Sequence, residues 1–298
     1  MSAATPVPSQ PNALAGIVLL GWKTRDAALR LLQEHCAFDR PPTDHEAEAL
    51  WARMRARVNA LRGRPLPRVE PYELTDDERS GVERFRAACL AQGHSPVEIL
   101  KVDPRNLVVY QLEVTIARSR EIANRLATRA AWLDEFLSAP HTAVQPSVRH
   151  SPNAIDVDVP HGEWGLLFDP ARGFLVAEAA RQVNVSRLAD RWTLWGGYHR
   201  AYAAAAYAPP ADRTIVAVVT DDATRHVAAA QRTCGLRAAQ SDNPPIFADF
   251  FDPQLALPVP FKRKRFTLQI RARVVAHDIA AGDAPAHDPA PNGALLRA

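Results

Sequence analysis

Residues 192–206 read Trp-Thr-Leu-Trp-Gly-Gly-Tyr-His-Arg-Ala-Tyr-Ala-Ala-Ala-Ala, and this stretch indicates both a fold and a site. A short aromatic strand runs into Gly196 and Gly197, and an alanine-rich helix follows. Because glycine has no Cβ, the backbone can turn sharply there and an anion can approach closely. The next amides belong to a helix N-terminus, where unpaired N–H donors and the helix dipole favour negative charge. Together with the side chains of His199 and Arg200, this turn predicts a phosphate-binding site.

Composition limits the class of protein. The chain has 298 residues, of which 47% are hydrophobic, so it can bury a sizeable core and form about two domains. The net charge of +3 does not require a nucleic-acid partner. Cys36, Cys89 and Cys234 are widely spaced, and the absence of a Cys-x-x-Cys motif predicts neither a zinc ribbon nor a disulfide framework. Unpaired thiols are typical of a reducing compartment, and we expect a cytoplasmic location.

One apolar run could indicate a membrane-spanning segment or a signal peptide. Residues 13–22 are too few to span a bilayer and lack the preceding basic residues of a signal peptide. We therefore expect no membrane partner.

The N-terminal part has helical patterns. Thr24 is a candidate N-cap for a helix that reaches about Ala37, and capping-box patterns begin at Thr43 and Thr75. Apolar residues spaced by three and four follow both boxes. These helices are candidates for binding a protein partner or for structural support.

From residue 97 onward, strand patterns alternate with helices. Strands are predicted over residues 97–102, 107–114, 184–187, 191–195, 214–219 and 267–275. A long amphipathic helix is predicted over residues 115–137, and another is predicted from residue 220 to Cys234. The fold class is therefore α+β. The predicted divisions are a disordered tail (1–12), a helical region (13–93), an α/β module (94–235, with an insertion at about 140–182), a proline-rich extension with a strand (236–279) and a disordered tail (280–298).

The order of strand, Gly-Gly-x-His-Arg, alanine helix and β-branched strand resembles the ParB/sulfiredoxin superfamily. Sulfiredoxins carry Gly-Gly-Cys-His-Arg before a Tyr-Ala-Ala helix, and this chain has Gly-Gly-Tyr-His-Arg-Ala-Tyr-Ala-Ala from residue 196. ParB-type segregation proteins and related serine kinases hold similar Gly-x-x-Arg or Gly-His-His-Arg turns. The resemblance covers residue 97 to about residue 222 and implies a ParB/sulfiredoxin-like module whose turn binds nucleotide phosphates.

The resemblance also implies a set of site residues. The phosphate-binding set is Gly196, Gly197, Tyr198, His199, Arg200, Arg118 and Ser119. Within it, Gly197, His199 and Arg200 would contact phosphate oxygens, while Arg118 or Ser119 would line the same pocket from the preceding helix. The implied cofactor is a nucleoside triphosphate, with Mg²⁺ entering on its phosphates.

This chain differs from the superfamily pattern at two points, and each difference argues against one known function of the superfamily. Tyr198 holds the position of the sulfiredoxin cysteine, and a phenol is a far poorer nucleophile than an activated thiolate at neutral pH. Sulfinic-acid repair is therefore not expected. A ParB segregation protein would continue into a helix-turn-helix domain, whereas this chain continues into a proline-rich segment. A standard partition protein is not expected either.

One dense basic run lies outside this turn. Lys262, Arg263, Lys264 and Arg265 are flanked by phenylalanines, a pattern typical of nucleic-acid contact and also of a strand edge protected by charge. Both interpretations stay open.

Three functions are compatible with these patterns. The first is a ParB-like regulatory protein that binds a nucleoside triphosphate and acts on DNA or a protein partner. The second is a phosphotransferase or nuclease that uses the same turn, with Glu113, Glu121 or Asp249 as loosely placed acid/base candidates and no catalytic residue assigned. The third is a scaffold that binds no nucleotide and recruits a partner protein.

Overall fold

The structure is a computed structural model. It describes residues 13–91, 97–126, 129–137, 143–144, 147–151, 154–158, 164–169, 173–178, 182–188, 191–209, 212–220, 235–262 and 267–271. The chain divides into two compact units, which are described separately. Unit 1 comprises residues 1–140 and 180–263, and unit 2 comprises residues 141–179 and 264–298.

The described elements combine helices with sheets, which confirms the α+β class. In chain order the strands are β1 (Ala13–Val18), β2 (Glu98–Val102), β3 (Val108–Val109), β4 (Glu113–Thr115), β5 (Ala143–Val144), β6 (Ser147–Ser151), β7 (Ala154–Asp158), β8 (Trp164–Asp169), β9 (Gly173–Glu178), β10 (Asn184–Leu188), β11 (Arg191–Gly196), β12 (Ile215–Val219), β13 (Leu257–Lys262) and β14 (Thr267–Arg271). The α-helices are α1 (Arg25–Arg30), α2 (Asp44–Ala60), α3 (Asp76–Ala91), α4 (Ile116–Arg125), α5 (Arg129–Phe136), α6 (Tyr198–Tyr207) and α7 (Gly235–Ala239).

Both capping boxes are confirmed. The Thr43 amide donates to Glu46 Oε2 at 2.8 Å while the Glu46 amide donates to Thr43 Oγ1 at 3.3 Å, and α2 begins there. Thr75 and Glu78 make the same pair of bonds at the start of α3. Thr24 also caps as predicted, since its hydroxyl accepts from the Ala27 amide. The helix after Thr24 continues past α1 as one π-helical turn, Leu31–His35.

A five-stranded mixed sheet forms the centre of unit 1, in the order β2-β12-β10-β11-β3. Strands β10 and β11, both predicted from the sequence, form an antiparallel pair. The strand predicted over 214–219 is β12, and its Ile215, Val216 and Ala217 have zero exposure. Helices α4, α5 and α6 contribute buried residues to the same core as these strands. Strand β11 leads directly into α6, so the sheet fixes the position of the turn between them.

Unit 1 also contains a three-stranded sheet in the order β13-β1-β4, and sequence analysis predicted neither β1 nor β13. Strand β13 includes Pro258 and Pro260, which cannot donate to a ladder and therefore argue against a central strand. Within the named sheet β13 is an edge strand, antiparallel to β1, which is the position where proline is tolerated. The Pro260 carbonyl accepts from the Ala37 amide at 2.6 Å on the other side of the strand.

Two predicted elements are divided in the structure, so their predicted bounds were wrong. The strand predicted over 107–114 is two strands, β3 and β4, which belong to different sheets. The amides of Tyr110 and Gln111 donate to a side chain instead of a neighbouring strand, and the chain changes sheets there. The helix predicted over 115–137 is likewise α4 and α5, because Leu126 leaves the helical region with φ −113° and ψ 88°.

The described residues of unit 2 form two antiparallel three-stranded sheets, β14-β7-β6 and β5-β9-β8. Strand β14 covers the first part of the strand predicted over 267–275. The rest of that strand, residues 221–234 of the helix predicted from residue 220, and both predicted disordered tails lie outside the described residues.

Each of the described helices is too short or too polar to cross a bilayer.

Candidate functional site

The turn between β11 and α6, residues 196–200, is called the α6 turn below. Gly197 precedes α6 in the left-handed conformation, with φ 80° and ψ 23°, and has no side chain that could cap the helix. A Cβ at this position would lie 2.9 Å from Val183 Cα and 3.0 Å from the Gln182 carbonyl oxygen. Backbone geometry and space therefore both require glycine at residue 197. At Gly196 the constraint is weaker, because the nearest atom to a Cβ would be the Asn184 side-chain nitrogen at 3.2 Å.

The amides of the α6 turn are partly used inside the helix. Arg200 and Ala201 both donate to the Gly197 carbonyl at 2.9 Å. The amides of Arg200 and Ala201 are therefore engaged within the helix, and any backbone donors that the turn offers a ligand come from the residues before them.

Tyr198 points into the protein. Its hydroxyl accepts from the amides of Tyr110 and Gln111 at 2.7 and 3.0 Å and donates to the Leu194 carbonyl at 2.6 Å. The residue is 3% exposed, and burial raises the pKa of this phenol above its usual range. A neutral phenol that is bonded to three backbone groups is not a nucleophile. Its role in the structure is to hold the segment between β3 and β4.

His199 contacts the same segment. Its Nε2 accepts from the Thr115 amide at 3.2 Å, at the junction of β4 and α4. Because Nε2 accepts, the imidazole is neutral and carries its proton on Nδ1. The α6 turn thus binds both ends of residues 110–115 through two consecutive side chains.

Arg200 contacts α5. Its Nε lies 2.9 Å from Glu135 Oε1, and the two side chains are 13% and 11% exposed. Arg125 lies near the same carboxylate oxygen at 3.9 Å. Sequence analysis did not single out Glu135, because a contact across 65 residues leaves no local pattern.

The structure places the two α4 candidates differently. Ser119 is fully buried, and its hydroxyl donates to the Thr115 carbonyl one turn earlier in the chain at 3.2 Å. Arg118 is half-buried. Helix α4 packs against α6, and the bond between His199 and the Thr115 amide places the start of α4 beside the α6 turn. That Arg118 and Ser119 bind a ligand stays a prediction.

The described carboxylates proposed as acid/base groups have different surroundings. Asp249 is 2% exposed and receives two guanidinium nitrogens of Arg64 at 2.6 and 2.7 Å, together with the Ile246 amide. This carboxylate is therefore committed to an internal ion pair. Glu113 lies 2.6 Å from the ammonium of the buried Lys23, and Glu121 is exposed on α4.

Only one residue of the basic run falls within the described part of the chain. Lys262 is exposed at the end of β13, whereas Arg263, Lys264 and Arg265 lie outside it. Contact with nucleic acid stays a prediction. Among the described residues, no group of three His, Cys, Asp or Glu side chains is close enough to hold a metal ion.

In comparisons with known proteins, no family model, no curated protein and no solved structure matches this chain.

Proposed function

We propose that this protein is a nucleotide-binding regulatory protein with a ParB/sulfiredoxin-like module, and that the α6 turn binds the phosphates of a nucleoside triphosphate. The observation that carries the proposal is the left-handed Gly197 at the N-terminus of a ten-residue helix, directly after a strand of the mixed sheet. A helix that begins in this way, with no side-chain cap, presents its positive end to an anion. Mg²⁺ would enter bound to the phosphates of the nucleotide.

Arg200 gives the proposal a mechanism of regulation. Its guanidinium is paired with Glu135 of α5 in a region that is shielded from water. A phosphate at the α6 turn competes with this carboxylate for the same cation, since guanidinium groups bind both anions in the same way. Nucleotide binding would thereby release Glu135 and loosen α5 from α6. The change at α5 is what a DNA or protein partner would sense.

Isothermal titration calorimetry with ATP, CTP, GTP and their diphosphates tests this function. Arg200→Ala should weaken the binding of the preferred nucleotide at least about tenfold, because hydrogen bonds to charged groups contribute about 1.5–3 kcal/mol. Glu135→Gln should strengthen binding, because it removes the competing negative charge. Arg84→Ala, at an exposed arginine of α3, is the matched control and should leave binding unchanged. If no nucleotide binds the wild-type protein, the proposal is wrong.

A second candidate function is favoured by the contacts of Tyr198 and His199. Both side chains are bonded to the backbone of residues 110–115, as expected of a turn that only holds the fold together. In that case the module is a scaffold for a protein partner and binds no nucleotide. Glu135→Gln distinguishes the two candidates, because a purely structural pair predicts lower stability and no gain in nucleotide affinity.

A further inference from the structure

Unit 1 has a cleft of about 840 Å³ that is separate from the α6 turn. Three segments surround it: Trp22 to Thr24, the last part of α2 through Gly63, and residues 237–243. We call it the tryptophan cleft after Trp22 and Trp51, which line it. Its volume lies in the range of small-molecule sites, which is about 300–1,000 Å³.

Hydrogen bonds between the three segments hold the cleft open in one shape. The Trp22 indole donates to the Asn243 carbonyl at 2.9 Å, and the Asn243 amide side chain donates to the Val58 carbonyl at 2.7 Å. The Trp51 indole donates to the Lys23 carbonyl at 3.1 Å. Each bond joins a side chain of one segment to the backbone of another. A ligand therefore meets a preformed site, and little of its binding free energy is lost to ordering the protein.

The charge of the lining is positive. Arg55, Arg62 and Arg237 are exposed in the cleft, and in the described part of the chain no carboxylate lies within ion-pair distance of any of them. Lys23 also lines the cleft, but Glu113 neutralises its ammonium at 2.6 Å. Among the described residues that line the cleft, Asp242 is the one acidic side chain. Three arginines thus face a single carboxylate.

We infer that the tryptophan cleft binds a small polyanion, a molecule with at least two negative charges on phosphate or carboxylate groups. Guanidinium forks bind either group through paired hydrogen bonds, and arginine is weakly hydrated enough to do so at a partly enclosed site. Trp51 and Val58 supply an apolar wall for the body of the ligand. This site is independent of the nucleotide site proposed at the α6 turn.

Calorimetric titration of the full chain with pyrophosphate and, separately, with citrate tests the inference. At low salt we expect one of the two probes to bind saturably, and which one binds distinguishes phosphate from carboxylate ligands. Arg62→Gln and Arg237→Gln should each weaken binding at least about tenfold. Asp242→Asn should strengthen it, which a purely structural role for these residues does not predict. All three changes are at exposed residues, and thermal melting verifies that each variant folds.

Arg53→Gln is the matched control, because Arg53 is an exposed arginine of α2 that does not line the cleft. The affinity of this variant for either probe should equal that of the wild type. The inference is overturned if neither probe binds, or if Arg53→Gln weakens binding as much as Arg62→Gln does. Binding of a thymidine oligonucleotide in the absence of small-anion binding would also overturn it, and would assign the cleft to nucleic acid instead.

Discussion

At the scale of single residues, the α6 turn uses its side chains to organise the protein around it. Tyr198 and His199 bind the backbone of residues 110–115, and Arg200 pairs with Glu135. The sequence predicted the turn from its glycines and the helix that follows. It did not predict these partners, because each lies 65 or more residues away along the chain. The local sequence pattern therefore predicts where the backbone turns. Contacts with distant residues determine which groups the side chains of the turn bind.

Tyr198→Phe should destabilise the protein by about 3 kcal/mol, because a buried amide, a partly buried amide and a buried carbonyl lose their partner. Urea denaturation measures the difference. Tyr202→Phe is the control, since no described hydrogen bond involves the Tyr202 hydroxyl, and it should cost less than about 1 kcal/mol. Equal effects of the two changes would contradict the role assigned to Tyr198.

Gly197→Ala should destabilise the protein more than Gly63→Ala. Both glycines have φ 80°, so alanine pays the cost of the left-handed conformation at either site, about 1 kcal/mol. A Cβ at residue 197 also meets the Val183 backbone at 2.9 Å, whereas at residue 63 it meets nothing within 4 Å. Thermal melting of the two variants gives the comparison. A Gly63→Ala variant as unstable as Gly197→Ala would show that the close packing at Val183 does not matter.

At the scale of elements, helix starts and the strands next to the turn were predictable. The hydroxyls of Thr43 and Thr75 accept from backbone amides three residues away, so the signal is entirely local. Strands β1 and β13 were not predicted, because their pairing joins distant parts of the chain and leaves no local signal. Pro258 and Pro260 argue against a strand until the tertiary fold places them at an edge, and nothing in the sequence shows which strands will be edges.

The start of α2 predicts a pH dependence. Hydrogen bonds from the Thr43 amide, Arg40 and the Thr43 hydroxyl lower the pKa of Glu46 to about 2. In the unfolded chain this pKa is about 4.3, so the stabilisation from the ionised carboxylate is complete above that pH and is lost as the pH falls towards 2. Glu46→Gln keeps a capping amide but does not titrate. Over that interval its free energy of unfolding should therefore fall less steeply with decreasing pH than that of the wild type, as measured by urea denaturation. Parallel curves would contradict the assignment.

At the scale of the whole molecule, ion pairs join distant parts of unit 1. Arg64, in the connector after α2, binds Asp249 through its two terminal guanidinium nitrogens across 185 residues. Its guanidinium also lies 5.9 Å from the Trp22 ring centroid. The same region forms one side of the tryptophan cleft. Asp249 was an acid/base candidate from the sequence, because the sequence around a carboxylate does not show its ion-pair partner. The cleft was not predictable for the same reason, since its three segments meet only in the folded protein.

Asp249→Asn should destabilise the protein by about 3 kcal/mol, because it leaves a mostly buried guanidinium without its counter-charge. Chemical denaturation provides the measurement. Glu83→Gln breaks an exposed ion pair with Arg86 on α3 and should cost at most about 0.5 kcal/mol. If Asp249→Asn were as mild as this control, the Arg64 pair would not be an important link in unit 1.

Backbone amide NMR of the isotopically labelled protein during titration with the preferred nucleotide tests the central claim most directly. The account predicts that the largest chemical-shift changes occur at residues 197–200 and at Glu135, with Arg62 and Arg237 little affected. It also predicts that Arg200→Ala abolishes these changes at the same nucleotide concentration. Saturable changes elsewhere in the protein, with the amides of residues 197–200 unmoved, would contradict it.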